Sequence, residues 1–514
     1  MKRILDMQMY YKINFASTNE YYINIINEQI KQKNINIKIR KYDKFFILDI
    51  NDDEERITTF FQNLEKSLPL SIYLKDAQFI EELDKDKEEI EFDNLKQNVS
   101  LPNNKIIELI NTDLSIYDEL IQKLNNKEII EFKTSNGIKK FALPNKENRE
   151  LLEKENEVNL FIANTNNLTS LLEVSTKDMH NLCSVERPLI KLKFNFLQNK
   201  EQQYSDISFI NAKLPDDEQT FKFAMALKNK GIDFLIYSDF YVKQKDIKVS
   251  YFKDENIVIS GDKAIFPTYD IQDKKVYNSS KELYDENGGV LKTIIKKENK
   301  RTENSLGVYF SYNSSESKIS LNTPTKGLKD IIYVPNIENS ISSCMEDIAS
   351  IDENTARLVD NYKKKFPQYF EKELPSNTNG FASILNFVAI MLGMKDYKEF
   401  ESYALLSNLK SGLQVDMKIE KLNGKNFLDY RKIAHSIFSY KIADVENSLL
   451  AYSFYESLSE FIKTAVEEVN RDIKVRNIIF CGNMFSNSIL LQKTEKELSK
   501  EFNFILSKKY TLDY

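Results

Sequence analysis

Asn477-Ile478-Ile479-Phe480-Cys481-Gly482-Asn483-Met484-Phe485-Ser486-Asn487 carries the strongest fold signal in the chain. Its first five residues form a short apolar run bounded by a turn signal, the pattern of a buried strand. Gly482-Asn483 breaks the run, and the spacing predicts a helix over 488–499, followed by a second short strand at Phe504-Ile505-Leu506. Strand, tight turn, helix and strand make a βαβ unit, whose turn is positioned to offer backbone N–H groups to an anion. One glycine in such a turn serves equally as a plain structural bend in an α/β domain. Before it, Leu450, Phe454, Leu458, Phe461, Ala465 and Val469 recur at helical spacing and predict a long amphipathic helix.

The turn resembles the C-terminal domain of the hydrogenase-maturation carbamoyltransferases, the HypF family, where a strand ends in Ser-Gly-Gly-Val-Phe-Gln-Asn. Gly482, Phe485 and Asn487 match, Asn483 stands for the second glycine and Met484 for valine. The resemblance implies nucleotide contacts from Gly482, Asn483 and Asn487, with Glu401 nearby in Phe400-Glu401-Ser402-Tyr403-Ala404, which looks like the family's Tyr-Glu-Gly-x-Ala. Asp513 matches the aspartate that completes the family's metal site. The histidine cluster of that site is replaced by Phe370-Glu371-Lys372-Glu373-Leu374-Pro375-Ser376-Asn377-Thr378-Asn379, and the only histidines are His180 and His435. Asp513 is thus a lone carboxylate. The family continues past this point with a glycine pair and a closing helix, so a chain stopping at Tyr514 is expected to be shortened or a fragment.

Working back, the first ninety residues follow the order β-α-β-β-α-β of a ferredoxin-like sandwich, the fold of the family's acylphosphatase-like domain. The loop Phe15-Ala16-Ser17-Thr18-Asn19-Glu20 lacks the glycine and arginine that would hold a phosphate. Electrostatic catalysis there has no donors to use. Glu81 to Asn104 is a charged run, most simply a solvated linker, and it lacks the family's Cys-x-x-Cys zinc modules. With no such ligands, no structural zinc is expected.

From 105 to about 295 helices and strands alternate. Ser184-Val185-Glu186-Arg187-Pro188-Leu189-Ile190 looks like the Arg-Pro-Ile-Val-Leu segment of the family's YrdC-like domain, and Gly231 to Ser238 like the strand before its Ser/Asn turn. The resemblance implies a carbamoyl-adenylate site with Arg187 and Ser238 as its remaining matches. Arg187 serves equally as an interdomain ion-pair residue, and Ser238 as a turn hydroxyl. The segment 154–159, where the family carries basic residues, is acidic on balance.

Bulk properties fit these readings. A length of 514 residues accommodates several domains. With 41% hydrophobic and 12% aromatic residues the chain can fill packed cores. A net charge of −6 argues against a nucleic-acid partner held by electrostatics. No apolar run reaches the ~20 residues of a membrane span. Three scattered cysteines and no signal-peptide core indicate the cytoplasm.

The expected architecture is therefore α/β and α+β multidomain: an acylphosphatase-like domain over 1–82, a charged linker over 83–104, a YrdC-like domain over 105–295, and an actin-like carbamoyltransferase-type domain over 300–514. The activity implied by the resemblance is ATP-dependent transfer of a carbamoyl group from carbamoyl phosphate to a maturation partner protein of NiFe hydrogenase. The alternative is a non-catalytic scaffold or nucleotide-binding paralogue that has lost the metal and phosphate-loop residues.

Overall fold

The structure is a computed structural model, described here over residues 7–17, 20–83, 87–91, 106, 108–195, 204–262, 289–298, 302–376 and 378–513. Most of the charged stretch 83–104 lies outside the described residues. Contacts divide the chain into two compact units, Met1–Tyr277 with Lys508–Thr511, and Asn278–Ser507 with Leu512–Tyr514.

The first unit opens with β1 (Met7–Phe15), α1 (Tyr21–Lys33), β2 (Ile37–Lys41), β3 (Phe46–Asp52), α2 (Glu54–Ser67) and β4 (Leu74–Ile80). The strands pair antiparallel in the order β2-β3-β1-β4, the ferredoxin-like arrangement the sequence predicts. Both helices lay an apolar stripe on one sheet face: Ile23, Ile26 and Ile30 of α1, and Ile57, Phe60 and Leu64 of α2, against Ile13, Phe15, Leu48 and Ile50. Burying each such side chain contributes about 1.5–3 kcal/mol. The Asp53 side chain accepts the Arg56 N–H and caps α2. In the loop before α1, Glu20 is ion-paired with Lys41.

A second sheet of this unit has the order β13-β12-β9-β10-β7-β11-β6-β5, with β8 paired to β9. Its strands are β5 (Ile130–Thr134), β6 (Gly137–Ala142), β7 (Asn159–Ile162), β8 (Leu172–Glu173), β9 (Leu189–Phe194), β10 (Phe209–Lys213), β11 (Phe234–Val242), β12 (Lys248–Phe252) and β13 (Glu255–Ser260). Strand alternation gives the sheet two cores. Ala142, Leu160, Ile162, Ile190, Ala212 and Ile236 form one. Phe132, Phe141, Phe161, Leu235 and Tyr237 form the other, with Phe223 and Leu227 of α3 (Glu218–Asn229). β5 begins two residues later than the pattern at 128–132 predicts, because Lys127 takes φ +66 in the turn that leaves the preceding helix.

The second unit holds one sheet among the described residues, ordered β17-β18-β16-β15-β14-β19-β20. These are β14 (Ser305–Tyr309), β15 (Lys318–Thr323), β16 (Gly327–Tyr333), β17 (Ile419–Leu422), β18 (Lys425–Leu428), β19 (Asn477–Cys481) and β20 (Asn503–Leu506). β14, β19 and β20 run parallel, with Tyr309 opposite Cys481 at the carboxyl ends of the first two. The helices include α4 (Gly380–Met391), α5 (Tyr397–Leu406), α6 (Asn447–Asp472) and α7 (Ser488–Leu498). All twelve residues of α4 are buried, Ser383 and Asn386 among them.

Candidate functional site

Two places collect the residues singled out by sequence, one in each unit. In the second unit, the parallel strands β14 and β19 end side by side, the position at which open α/β sheets gather ligand-binding loops. Gly482 follows β19 with φ +95, and a Cβ there would lie 1.9 Å from the Phe310 carbonyl oxygen. Only glycine allows the two turns to approach so closely.

The backbone donors of this turn are all committed within the unit. Gly482 N–H donates to Leu512 O at 2.6 Å, and Met484 N–H to Phe310 O at 3.2 Å. Asn483 N–H donates to Asp513 Oδ2 at 3.2 Å. The turn therefore does not present these N–H groups to an outside anion as the sequence pattern suggests.

Asp513 is 1% exposed and lies between the two strand ends. Its Oδ1 accepts the Tyr309 hydroxyl at 2.8 Å, and its Oδ2 accepts the Ser311 hydroxyl at 2.6 Å. Burial, with Asp513 alongside, raises the Tyr309 phenol and the Cys481 thiol above their ordinary values. Donors facing a carboxylate satisfy it; they do not complete a cation shell. Among the described residues no three His, Cys, Asp or Glu side chains converge. The groups around Asp513 therefore do not fit a divalent metal, which takes several lone-pair ligands at once.

The Asn487 side chain caps α7, its Oδ1 accepting the Ile489 and Leu490 N–H groups at 3.0 and 3.1 Å. Its Nδ2 donates to Glu401 Oε1 at 3.2 Å. Asn483 Oδ1 accepts Tyr312 N–H at 2.8 Å. The structure thus joins Gly482, Asn483 and Asp513 in one cluster, and Asn487 to Glu401 beside it. Sequence reasoning missed Tyr309, Ser311 and Tyr312. Tyr312 stacks on Tyr397 at 4.6 Å between ring centroids and shares a 2.7 Å hydrogen bond with the Tyr455 hydroxyl. Burial and the nearby Glu401 hold both phenols well above their ordinary value. The one available signal was the hydroxyl-rich, aperiodic run from Ser311 to Ser317 after the first strand.

In the first unit, Arg187 occupies a left-handed φ of +46 at the entry to β9. Its Nη1 donates to Leu182 O at 3.4 Å, and its buried Nε has no hydrogen-bond partner. Ser238 is fully buried, with its hydroxyl also unpartnered. Alternation along β11 puts Ser238 on the face opposite Tyr237.

The Tyr237 face carries a buried ionic network that the sequence reading did not anticipate. Lys139 and Lys213 have side chains 2% exposed. Lys139 Nζ lies 2.7 Å from Asp239 and 3.0 Å from Asp246, and Lys213 Nζ lies 2.7 Å from Asp246 and 2.9 Å from Asp216. The Lys139 ammonium also sits 4.8 Å from the centre of the Tyr237 ring, whose own hydroxyl has no partner. Register creates the network, since Asp239 pairs with Lys139 and Tyr237 with Asn159 across adjacent strands. Nothing in the local pattern of these lysines marks them as buried.

Comparison with known proteins bears on both places. Residues 337–513 match the family described as the carbamoyltransferase, Kae1-like domain, second subdomain. Protein HydE of Wolinella succinogenes is 25% identical over 173 residues, which cover 30% of this chain and 32% of HydE, so the match spans about a third of that relative's length. A crystal structure of full-length HypF, in a phosphate- and nucleotide-bound form, superposes with a TM-score of 0.58 and 12% identity, over 100% of this chain and 97% of that one. HypF of T. kodakarensis gives 0.62 at 10% identity, over 99% and 96%. At such identities the two structures speak for the fold, with its acylphosphatase-like, YrdC-like and Kae1-like parts. Taken together, residues 337–513 are similar to the Kae1-like second subdomain of the carbamoyltransferases, and the chain has the fold of HypF over nearly its whole length.

Proposed function

We propose that this protein acts as a divergent HypF-like carbamoyltransferase, moving a carbamoyl group from carbamoyl phosphate to a partner protein at the expense of ATP, in NiFe-hydrogenase maturation in the cytoplasm. The observation that supports this most is the cluster of Gly482, Asn483 and Asp513 at the paired ends of β14 and β19, inside the segment matching the Kae1-like second subdomain. In this reading the loops there contact ATP, with Asn487 and Glu401 holding the turn in place. Arg187, whose buried Nε is unpartnered, contributes a cationic group to a carbamoyl-adenylate site in the nine-stranded sheet module. ATP–pyrophosphate exchange stimulated by carbamoyl phosphate tests the proposal. Stimulated exchange that Arg187→Ala removes supports it, and silence in protein that is folded by circular dichroism overturns it.

A second reading, a scaffold or nucleotide-binding paralogue without transfer chemistry, is favoured by one specific observation. The backbone donors at 482–484 and the ammonium groups of Lys139 and Lys213 all have internal partners. A polyphosphate would have to displace those partners before gaining electrostatic stabilisation. Calorimetry with ATP, with and without carbamoyl phosphate, separates the cases: heat that carbamoyl phosphate enlarges favours the enzyme, and unchanged or absent heat favours the scaffold.

A further inference from the structure

The bend Ser184–Pro188 fastens the two sheet modules of the first unit together. Val185 N–H donates to Leu70 O at 2.8 Å, and its side chain joins Ile247, Val249 and Val258 in the core of the four-stranded module. Asn256 Nδ2 donates to Ile72 O at 2.9 Å from the other side. At the centre of the contact is Glu186. Its Oε1 accepts the Ser71 hydroxyl at 2.6 Å, and its Oε2 accepts the Ile72 N–H at 3.1 Å.

No ion pair among the described residues includes this carboxyl group. Burial pushes it up from 4.5 to about 8, against the Ile72 N–H, its own N–H and the neighbouring Arg187. Ser71 Oγ also accepts Tyr73 N–H at 3.1 Å and lies 3.0 Å from the Tyr21 hydroxyl, with either oxygen able to donate. The chain Glu186–Ser71–Tyr21 can therefore run in both directions. With Glu186 ionised, Tyr21 donates to Ser71 and Ser71 to the carboxylate. With Glu186 neutral, its O–H donates to Ser71 and Ser71 donates to Tyr21. Both states keep Ser71 and Glu186 hydrogen-bonded to each other, but only the neutral one avoids an unpaired buried charge.

We propose that Glu186 is a proton-operated latch, which when neutral holds the four-stranded module on the nine-stranded one and when ionised loosens that contact. The titratable and charged groups facing it are Arg187 on its own bend, Tyr21 through Ser71, and His180, which bonds the Ser71 backbone. Lys177, Cys183 and Asp216 act on His180 and Arg187 in turn. The Lys75–Glu255 pair also spans the two modules. The docked value lies above the undocked one, so docking is strongest at low pH. It weakens as pH rises from about 4.5 to about 8, and is constant above.

Hydrogen exchange of the Ile72 and Val185 amides in the full chain, corrected for intrinsic rates between pH 6 and 9, tests this. Protection should fall by up to about tenfold per pH unit until about 8, and then level off. Glu186→Gln, a neutral mimic, should remove the slope. Equal slopes in both proteins, or flat protection in the wild type, overturn the proposal. Carbon-13 titration of glutamate carboxyls in the wild-type chain provides a check independent of the variant. One resonance titrating near 8 and shifted by Ser71→Ala supports the latch, and all of them titrating below 6 overturns it.

Discussion

The Ser311 hydroxyl donates to the Asp513 carboxylate at 2.6 Å, although 202 positions separate the two residues in sequence. This bond, with those from Tyr309 and Asn483, ties the loop after β14 to the last residues described. Replacing Asp513 by alanine removes the carboxylate acceptor of two buried hydroxyls, Tyr309 and Ser311, and of the half-buried Asn483 N–H, each lost partner costing about 1–3 kcal/mol where the donor is buried. Asp513→Ala should lower the urea midpoint of the second unit clearly more than Asp513→Asn, which keeps one acceptor oxygen. Equal midpoints for the two variants would show that the carboxylate contributes little.

Gly482→Ala should be among the most damaging single-methyl additions in the protein. The new Cβ meets the Phe310 carbonyl at 1.9 Å and sits on a backbone with φ +95. A loss of roughly 3 kcal/mol is expected from the conformation and the clash together. Gly424, also at positive φ but with nothing near its Cβ position, serves as the control. Thermal unfolding of both alanine variants should show a large shift only for Gly482→Ala.

Asp246 holds both buried lysines of the nine-stranded sheet. Asp246→Ala removes the carboxylate that Lys139 and Lys213 share, leaving Asp239 beside the first and Asp216 beside the second. Breaking a buried pair from one side costs about 3–5 kcal/mol. The double replacement of Lys139 and Asp246 by methionine and leucine should cost less than Asp246→Ala alone, which a double-mutant cycle in urea would reveal.

The cysteines should differ sharply in reactivity. Burial pushes the Cys344 thiol up to about 12 and raises Cys481 well above its ordinary value. The thiolate is the reactive form, so at pH 8 neither alkylates while the fold is intact. Half-buried Cys183 should be the one native thiol modified by iodoacetamide, as peptide mapping would show. Labelling at Cys344 or Cys481 before Cys183 would indicate that the second unit opens readily.

Asp52 makes acid the weak side of the ferredoxin-like module. Burial alone would raise its value, but the Asn36 and Asp53 N–H groups and Arg56 outweigh that and lower it. A depressed carboxylate contributes stability that is present above its ordinary 3.8 and disappears as pH falls through the folded value. Asp52→Asn should flatten the loss of stability below pH 4, measured by circular dichroism.

Much of the fold was written into the sequence by itself, because local periodicity carries it. The element order over 7–80, the strand at 477–481 and the helical spacing from Leu450 to Val469 each depend on residues close in the chain. The glycine at 482 and the acidic replacements in the middle segment were equally legible there. Where the donors of the 482–484 turn point was not legible there, since their partners Phe310, Leu512 and Asp513 come from other elements and meet the turn only in the folded unit. Tertiary structure alone turned Lys139 and Lys213 inward, because a lysine looks the same in sequence whether water solvates it or it pairs with an aspartate 100 positions away, as Lys139 does, or 33 away, as Lys213 does. Helix and strand periods are short-range, whereas charge pairing and hydroxyl partnering depend on strand register, which exists only once the sheets have formed.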